Sequence, residues 1–207
     1  DDILDVIEEE NTEDMERMGG VIDNTDKDYL DTPVLMHVKA RLPWLLVLMV
    51  SYVFTGGMIA SFEKSLSAVI ALVAYMPMLM GTGGNSGTQS STVIITGMAT
   101  GDLELSDVLR VLWKEFRIGI IVGICVSILN YMRIVAFDHN GSLVALTVCL
   151  SMVLIVIIAK CIGALLPMIA KKIGIDPALI AGPMMASLTD MVALGTYFTM
   201  ARLVLKI

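Results

Sequence analysis

Hydrophobic positions along the chain fall into five long runs separated by shorter polar segments. The runs cover residues 42–62, 66–98, 116–135, 143–170 and 178–205. As an α-helix rising about 1.5 Å per residue, each run is long enough to cross a hydrocarbon layer about 30 Å thick. The pattern predicts an all-α membrane protein with five transmembrane helices, arranged in one transmembrane domain over residues 34–207.

A different pattern precedes the first span. Within residues 1–19, apolar side chains recur at a loose helical period and predict an amphipathic helix, with the apolar positions Ile3, Val6, Ile7, Met15 and Met18. Two glycines then provide a stop signal, and a polar linker continues to Pro33. Residues 1–33 are therefore predicted to form a connecting helix and a linker outside the membrane.

Composition agrees with a membrane protein and adds an acidic head. Hydrophobic residues make up 56% of the chain and charged residues only 17%, whereas soluble domains are about a quarter charged. Thirteen of the 21 acidic residues lie within the first 31 positions, where the only bases are Arg17 and Lys27. Such a head disfavours nucleic acid and anionic lipid as partners, and it suits either cation binding or a solvated helix face. Because the sequence starts at Asp1 rather than Met, we expect it to be a fragment whose N-terminal part has been removed.

The basic residues predict an orientation. Cytoplasmic loops of membrane proteins carry an excess of Lys and Arg. With the N-terminus inside, seven basic residues flank the spans on the inner side and four on the outer side: Lys39, Arg41, Arg110, Lys114, Arg117, Lys171 and Lys172 inside, and Lys64, Arg133, Arg202 and Lys206 outside. This predicts a multi-pass protein of the cell membrane with a cytoplasmic acidic helix and an external C-terminus.

The second span contains an unusually polar stretch, YMPMLMGTGGNSGTQSSTVIITG, at residues 75–97. Exposed to lipid, its amides and hydroxyls would be unfavourable, whereas a water-filled path would hydrate them. Tight packing between helices also favours small residues. Packing alone, however, does not require Asn85 and Gln89. We predict a pore lining that includes Gly84, Asn85 and Gln89.

The fifth span carries Asp190 close to the middle of an apolar run. A carboxylate at this depth costs about 2.5–3.5 kcal/mol on insertion scales and marks an ion or proton pathway unless it has a structural partner. Pro183 removes one helical hydrogen bond, and the Ala186 carbonyl lies on the same face as Asp190. Small side chains such as Ser187 leave room beside the acid, and we predict that Pro183 and Ser187 also line the pore. The only base well inside a span is Lys160.

The available ligands limit the ion. Carboxylate, amide, hydroxyl and carbonyl oxygens favour hard cations, Mg²⁺ or Ca²⁺ ahead of Zn²⁺ or Cu⁺. One Asp190 cannot neutralise a divalent ion, but a homodimer with its pore on the two-fold axis would supply two. Glu115, at the inner edge of the third span, either contributes to the pore or pairs with a base. The softer ligands do not cluster: Cys125, Cys149, Cys161, His37 and His139.

Two transport classes remain open, and an enzyme is disfavoured. The sequence has no Ser-His-Asp set, no HExxH motif and no phosphate-binding loop. A passive channel would use the membrane potential to drive the cation inward. A secondary transporter would exchange a divalent cation for Na⁺ or H⁺, and broken helices would suit it too.

Several long runs resemble the membrane domain of the MgtE family of magnesium channels. They are DVIEEENTEDM (5–15), RLPWLL (41–46), PMLMGTGGNSGTQSSTVIITGMATG (77–101), KEFRIG (114–119) and DPALIAGPMMASLTDMVALGTYFTMARLVL (176–205). The resemblance implies a homodimer with five helices per subunit and one pore lined by the second and fifth helices. It implies that Asp190 selects Mg²⁺ with the Ala186 carbonyl, and that Asn85 belongs to a glycine–asparagine pore motif.

The same resemblance implies a Mg²⁺ uptake channel that serves magnesium homeostasis and is gated by intracellular Mg²⁺. Family members carry a cytoplasmic superhelical domain and a CBS pair before the acidic helix, and Mg²⁺ bridges that helix to the CBS domains and closes the pore. By motif position, Asp2, Asp5, Glu13 and Asp14 are the implied sensor acids.

Overall fold

The computed structural model describes residues 2–21, 29–63, 69–138 and 141–206, and every regular element in them is helical. The all-α prediction is confirmed. The α-helices are α1 (Asp2–Met18), α2 (Val34–Ser61), α3 (Met76–Ala99), α4 (Val108–Arg133), α5 (Ser142–Lys172), α6 (Ala178–Ala181) and α7 (Pro183–Leu205). Short 3₁₀ segments precede α3 and α4, at Ile70–Tyr75 and Leu105–Asp107, and a π-helical segment, Ile134–Asp138, follows α4.

Four helical segments within the described residues are long and apolar enough to cross a membrane: Val34–Ser61, Leu105–Asp138, Ser142–Lys172 and Pro183–Leu205. Helix α3 has 24 residues, which corresponds to about 36 Å at 1.5 Å per residue. Its glycines, amides and hydroxyls make it too polar to join that group. That α3 crosses the membrane as the second of five spans therefore stays a prediction that rests on its length.

Two predicted spans contain breaks. The described part of the second span starts with the 3₁₀ segment, and α3 starts at Met76 with Pro77 in its first turn, where the missing N–H is tolerated. The fifth span is divided at Gly182, whose φ of −94° and ψ of −111° are not helical. Pro183 then opens α7. The proline therefore begins a helix here, where we had expected it inside one continuous helix.

Helix α5 is the centre of the bundle, and α3, α4 and α7 all pack along it. Its side chains Met152, Ile155 and Val156 are almost completely buried. Glycines let the neighbouring helices approach closely. A Cβ on Gly119 of α4 would lie 2.8 Å from the Ile157 Cα atom, which is too close for any other residue without a shift.

Helix α2 lies at the edge of the bundle and packs on α7. Many of its apolar side chains are exposed, as expected of a surface that faces lipid, including Leu45, Val47, Met49, Val50, Val53 and Phe54. One polar contact joins the two helices, because the hydroxyl oxygens of Ser51 and Ser187 are 2.6 Å apart.

Helix α1 packs with its C-terminal end against the start of the fifth span. The chain leaves α1 through Gly20, which has φ of +74° and lies against Trp44 of α2. A Cβ at this position would be 2.1 Å from the Trp44 Cδ1 atom. Both the backbone conformation and the close contact therefore require glycine.

Candidate cation pathway along α3 and α7

Asp190 and Ala186 lie one turn apart on the partly exposed face of α7. The adjacent, buried face carries Met185, Thr189 and Ala193, which are at most 1% exposed. Within the described residues, the Asp190 carboxylate has no hydrogen bond or ion pair. Lys160, the base considered from the sequence as its structural partner, instead contacts Ser90. The acid is therefore not engaged in holding this subunit together.

The Ala186 carbonyl is held by a neighbouring hydroxyl. The Thr189 Oγ1 atom lies 2.9 Å from the Ala186 carbonyl oxygen and 2.8 Å from the Met185 carbonyl oxygen. A hydroxyl has one proton to donate, whereas each carbonyl oxygen has two lone pairs. Inside α7 the Ala186 oxygen already accepts the helical hydrogen bond from the Asp190 N–H. It therefore keeps one lone pair for a cation or for water when the Thr189 hydroxyl donates to Met185 instead.

Helix α3 approaches α7 through glycines. A Cβ on Gly84 would be in ordinary contact with Ala186, at 3.8 Å, whereas one on Gly87 would lie only 2.8 Å from the Thr189 Cγ2 atom. The structure thus brings the buried Gly84 directly against Ala186. Asn85 and Gln89 are exposed on the outer face of α3, and in the described residues neither has a hydrogen bond to Asp190.

The remaining two predicted pore-lining residues differ in their surroundings. Pro183 is half-exposed at the first position of α7. Ser187 is only 1% exposed, and its hydroxyl contacts Ser51 of α2. This contact joins α7 to the outer helix α2 within the subunit. The proposed pathway therefore does not include Ser187.

The end of α1 is fastened to the segment that leads into α7. The Arg17 guanidinium donates to the Asp176 carboxylate at 2.5 Å and also to Glu13, one turn earlier on α1. The carbonyl oxygen of Met18 lies 2.0 Å from the position that a Cβ on Gly182 would occupy. Any side chain at position 182 would therefore push α1 away from the start of α7.

Two of the four implied sensor acids have described side chains, and both lie at this contact. Glu13 pairs with Arg17. Burial raises the pKa of Asp14 above its ordinary value, and repulsion from Asp176 raises it further, while Arg17 acts in the opposite direction. The hydrogen bond to Asp176 likewise raises the pKa of Arg17. The side chains of Asp2 and Asp5 fall outside the described residues.

A buried polar cluster was missed from the sequence. Ser90 of α3, Glu115 of α4 and Lys160 of α5 are 2%, 7% and 5% exposed. The Ser90 hydroxyl donates to Glu115 at 2.6 Å, and the Lys160 ammonium donates to Ser90 at 3.4 Å. The sequence left Glu115 undecided between the pore and a base. Glu115 accepts a hydrogen bond from Ser90, and the base Lys160 contacts Ser90 in turn.

No group of three or more His, Cys, Asp or Glu side chains converges in the described part of the chain. For the candidate pathway this means that the described residues of one subunit supply a single carboxylate, Asp190, together with carbonyl, amide and hydroxyl oxygens. These are ligands for a hard cation. A hydrated ion held through its water molecules fits such a set better than a fully dehydrated one.

Comparison with known proteins identifies the family. The profile of MgtE, described as a divalent cation transporter, matches residues 76–200, a range that contains α3, α4, α5 and most of α7. The magnesium transporter MgtE of Thermus thermophilus is 41% identical over 206 residues, which is 100% of this chain. Its counterpart in Bacillus subtilis is 35% identical over 97% of this chain, and that in Enterococcus faecalis is 29% identical over 100%.

The chain spans about half the length of these relatives, 45% of the first and 44% of the other two. The family profile nevertheless covers more than half of the chain, including both helices of the candidate pathway. The chain therefore belongs to the MgtE family of divalent cation transporters.

Proposed function

We propose that this chain forms the membrane part of a Mg²⁺-selective channel that takes up magnesium across the cell membrane and maintains its homeostasis. The observation that carries the proposal is the carboxylate of Asp190, which has no partner among the described residues and lies on a partly exposed face of an apolar helix, one turn after the Ala186 carbonyl. An intramembrane acid without a structural partner is typical of an ion pathway. The relatives' names, magnesium transporter, favour Mg²⁺ as the ion.

The proposed pore lies between two copies of the chain. One carboxylate leaves a divalent ion half neutralised, whereas a two-fold axis beside α7 brings two Asp190 side chains together. The partly exposed face of α7 and the polar outer face of α3, with Asn85 and Gln89, supply a surface suited to this arrangement. Gly84, where α3 meets α7, and Pro183, where α7 begins, are proposed to line the same surface.

The ion is proposed to stay largely hydrated. Mg²⁺ loses water reluctantly, so the two carboxylates and the Ala186 carbonyls would bind its water molecules. Movement of a divalent ion down a membrane potential of 100 mV releases about 4.6 kcal/mol, because each charge contributes about 2.3 kcal/mol. With α1 in the cytoplasm and the C-terminus outside, this potential drives uptake without a coupled ion.

Intracellular Mg²⁺ is proposed to close the pore through α1. Asp14 and Asp176 repel one another where α1 meets the segment before α7. Mg²⁺ bound by the acids of α1, including Glu13, Asp14 and by motif Asp2 and Asp5, would offset this repulsion and favour the docked state. Superhelical and CBS domains upstream would supply further acids for the same ions.

Coupled exchange of a divalent cation for Na⁺ or H⁺ is the alternative, and one observation favours it. The fifth span is broken at Gly182, between α6 and α7. Discontinuous helices that place backbone groups at a central site are common in secondary transporters. A channel also tolerates such a break where irregular backbone is buried in protein or lines water.

Electrical recording from the purified protein in lipid bilayers separates the two. A Mg²⁺ channel gives unitary current steps that reverse at the Mg²⁺ equilibrium potential, with no shift when a Na⁺ or H⁺ gradient is imposed. Flux that saturates and requires one of those gradients would replace the channel by the exchanger. No Mg²⁺ flux from well-folded protein would refute both.

A further inference from the structure

A cavity of about 950 Å³ lies between α3 and α4. Both helices pack along α5, and their backbones stay apart while side chains such as Ser90 and Glu115 meet, so a space remains between them. On the α3 side its polar lining includes Asn85, Thr88 and Gln89, and its charged lining is Lys114, Glu115 and Lys160. The cavity thus adjoins the same polar face of α3 that is proposed to line the pore.

The charges of Glu115 and Lys160 are both more than nine-tenths buried. Opposite charges that deep in a membrane protein persist when they compensate one another. Here the compensation runs through Ser90, which accepts a hydrogen bond from Lys160 and donates one to Glu115. Removing the ammonium would leave the Glu115 carboxylate buried and uncompensated.

The helix crossing explains why Lys160 reaches this position. Gly163 of α5 lies directly against the backbone of Gly87 of α3. Lys160 is three residues before Gly163, and Ser90 is three residues after Gly87, so both occupy the turn next to the crossing. The close glycine contact therefore fixes the distance over which the ammonium must extend.

Without its ammonium, the same cavity would present a set of cation ligands. Glu115 would offer a carboxylate, Ser90 and Thr88 hydroxyls, and Gln89 and Asn85 amide oxygens. These are the oxygen donors that Mg²⁺ and similar hard divalent ions bind. A strong site beside the path would retain the ion, whereas conduction needs sites weak enough to release it.

We propose that Lys160 is a tethered counter-cation that prevents Glu115 from binding the transported divalent ion. Glu115 is then a latent second cation site, and Lys160 determines that the ion is held at Asp190 alone. The inference rests on the proposed function, because it supposes that divalent ions travel beside α3. It assigns specificity to a residue that touches neither Asp190 nor Ala186.

Counting bound Mn²⁺ tests this proposal directly. Electron paramagnetic resonance of free Mn²⁺ gives the number of ions bound by the purified protein, with Mn²⁺ standing for the transported ion. Lys160→Met is expected to bind one more Mn²⁺ per chain than the wild type. Lys160→Arg, which keeps the charge, should show no gain, and Lys160→Met with Glu115→Gln should lose it.

Two results would overturn the proposal. One is a folded Lys160→Met variant with the wild-type number of bound ions. The other is a gain that persists after Glu115→Gln, because the extra ion would then be bound elsewhere.

If Lys160→Met folds poorly, a second measurement still decides the proposal. Mn²⁺ should then raise the melting temperature of this variant more than that of the wild type, and the added Glu115→Gln should abolish the difference. If the double variant folds while Lys160→Met stays unfolded at saturating Mn²⁺, Glu115 is not a cation site.

The same count in an Asp190→Asn background separates this inference from the proposed function. The gain caused by Lys160→Met should survive there, because the two sites are independent. If Asp190→Asn by itself leaves the Mn²⁺ count unchanged, the pore assignment fails while the Glu115 site stands. If the gain disappears in that background, the latent site is refuted.

Discussion

Gly163 of α5 and Gly87 of α3 are in direct backbone contact. A Cβ on Gly163 would lie 2.2 Å from the Gly87 carbonyl oxygen, and 3.0 and 3.1 Å from the Gly87 carbonyl carbon and Cα atom. Backbone cannot move aside as a flexible side chain can. This contact therefore sets how closely the polar helix α3 lies against α5, and with it the position of Ser90.

Gly163→Ala is expected to destabilise the bundle, because the added methyl group must push α3 and α5 apart. Overpacking of this kind typically costs about 1–3 kcal/mol. The melting temperature of the purified protein, followed by tryptophan fluorescence, should fall. Gly56→Ala is the matched control, since a Cβ on Gly56 of α2 has nothing within 4 Å. Equal melting temperatures for the two variants would contradict the contact.

The sequence predicted most helices but not their breaks. Apolar runs indicate a helix because each is long and nearly free of charge. A division such as that at Gly182 depends on what the backbone contacts. There, the carbonyl of Met18 from α1 occupies the space that a side chain would need. Pro183 was visible in the sequence, but whether a proline bends a helix or begins one is decided by the preceding residue.

The candidate site divides in the same way. Asp190 and Ala186 were predicted together because their spacing of four is local to one helix. Ser187, in contrast, was predicted to line the pore, but its hydroxyl contacts Ser51 of α2. Which side Ser187 faces depends on where α2 packs, and this is not local to α7. The cluster of Ser90, Glu115 and Lys160 contains one residue from each of three helices. Such a contact depends on helix packing and cannot be predicted from the spacing of residues along the sequence.

Arg17→Gln is expected to loosen the end of α1. Arg17 and Asp176 are both partly exposed, at 35% and 27% of their side chains, so their coupling should be small, about 0.2–1 kcal/mol. Amide hydrogen exchange in the last turn of α1 should quicken in Arg17→Gln and, to a smaller extent, in Asp176→Asn, because the latter also relieves the repulsion of Asp14.

The double variant should exchange no faster than the faster single variant, because both remove the same interaction. Arg110→Gln, which breaks an exposed pair between Arg110 of α4 and Asp107 just before that helix, is the control and should leave exchange in α1 unchanged. Independent, additive effects of Arg17→Gln and Asp176→Asn would show that the two residues do not act as a pair.

Docking of α1 should strengthen as the pH falls. The pKa of Asp14 is raised by burial and by Asp176, so the docked state favours the protonated acid. The stabilisation is absent at pH values well above the raised pKa, grows as the pH falls through it, and is complete below the ordinary value of 3.8.

Asp14→Asn should remove this part of the pH dependence and strengthen docking at neutral pH. The measurement is hydrogen exchange of α1, corrected for the intrinsic rate at each pH and compared with the wild type. The comparison isolates the contribution of Asp14 from those of the other acidic side chains at this contact. A pH profile unchanged by Asp14→Asn would show that this carboxylate is not repelled at the contact.

The proposed dimer can be tested by cross-linking. Residues beside a two-fold axis meet their own copies, so Gln89→Cys on the outer face of α3 should form a covalent dimer on mild oxidation in membranes. The background needs Cys125→Ser and Cys161→Ser, because these two thiols are not buried. Gly57→Cys on α2 is the control and should stay monomeric. A monomeric Gln89→Cys beside a cross-linked control would place the interface elsewhere.

The central claim is that Asp190 holds the transported Mg²⁺, and the Mg²⁺ current of Asp190→Ala tests it most directly. Recorded in bilayers beside the wild type and Asp107→Asn, a control carboxylate whose hydrogen bonds are to Glu104 and Arg110, Asp190→Ala should lose Mg²⁺ selectivity and conductance. The Gln89→Cys cross-link should still form in that variant, showing an intact dimer. Mg²⁺ currents of wild-type size and selectivity from Asp190→Ala would contradict the account.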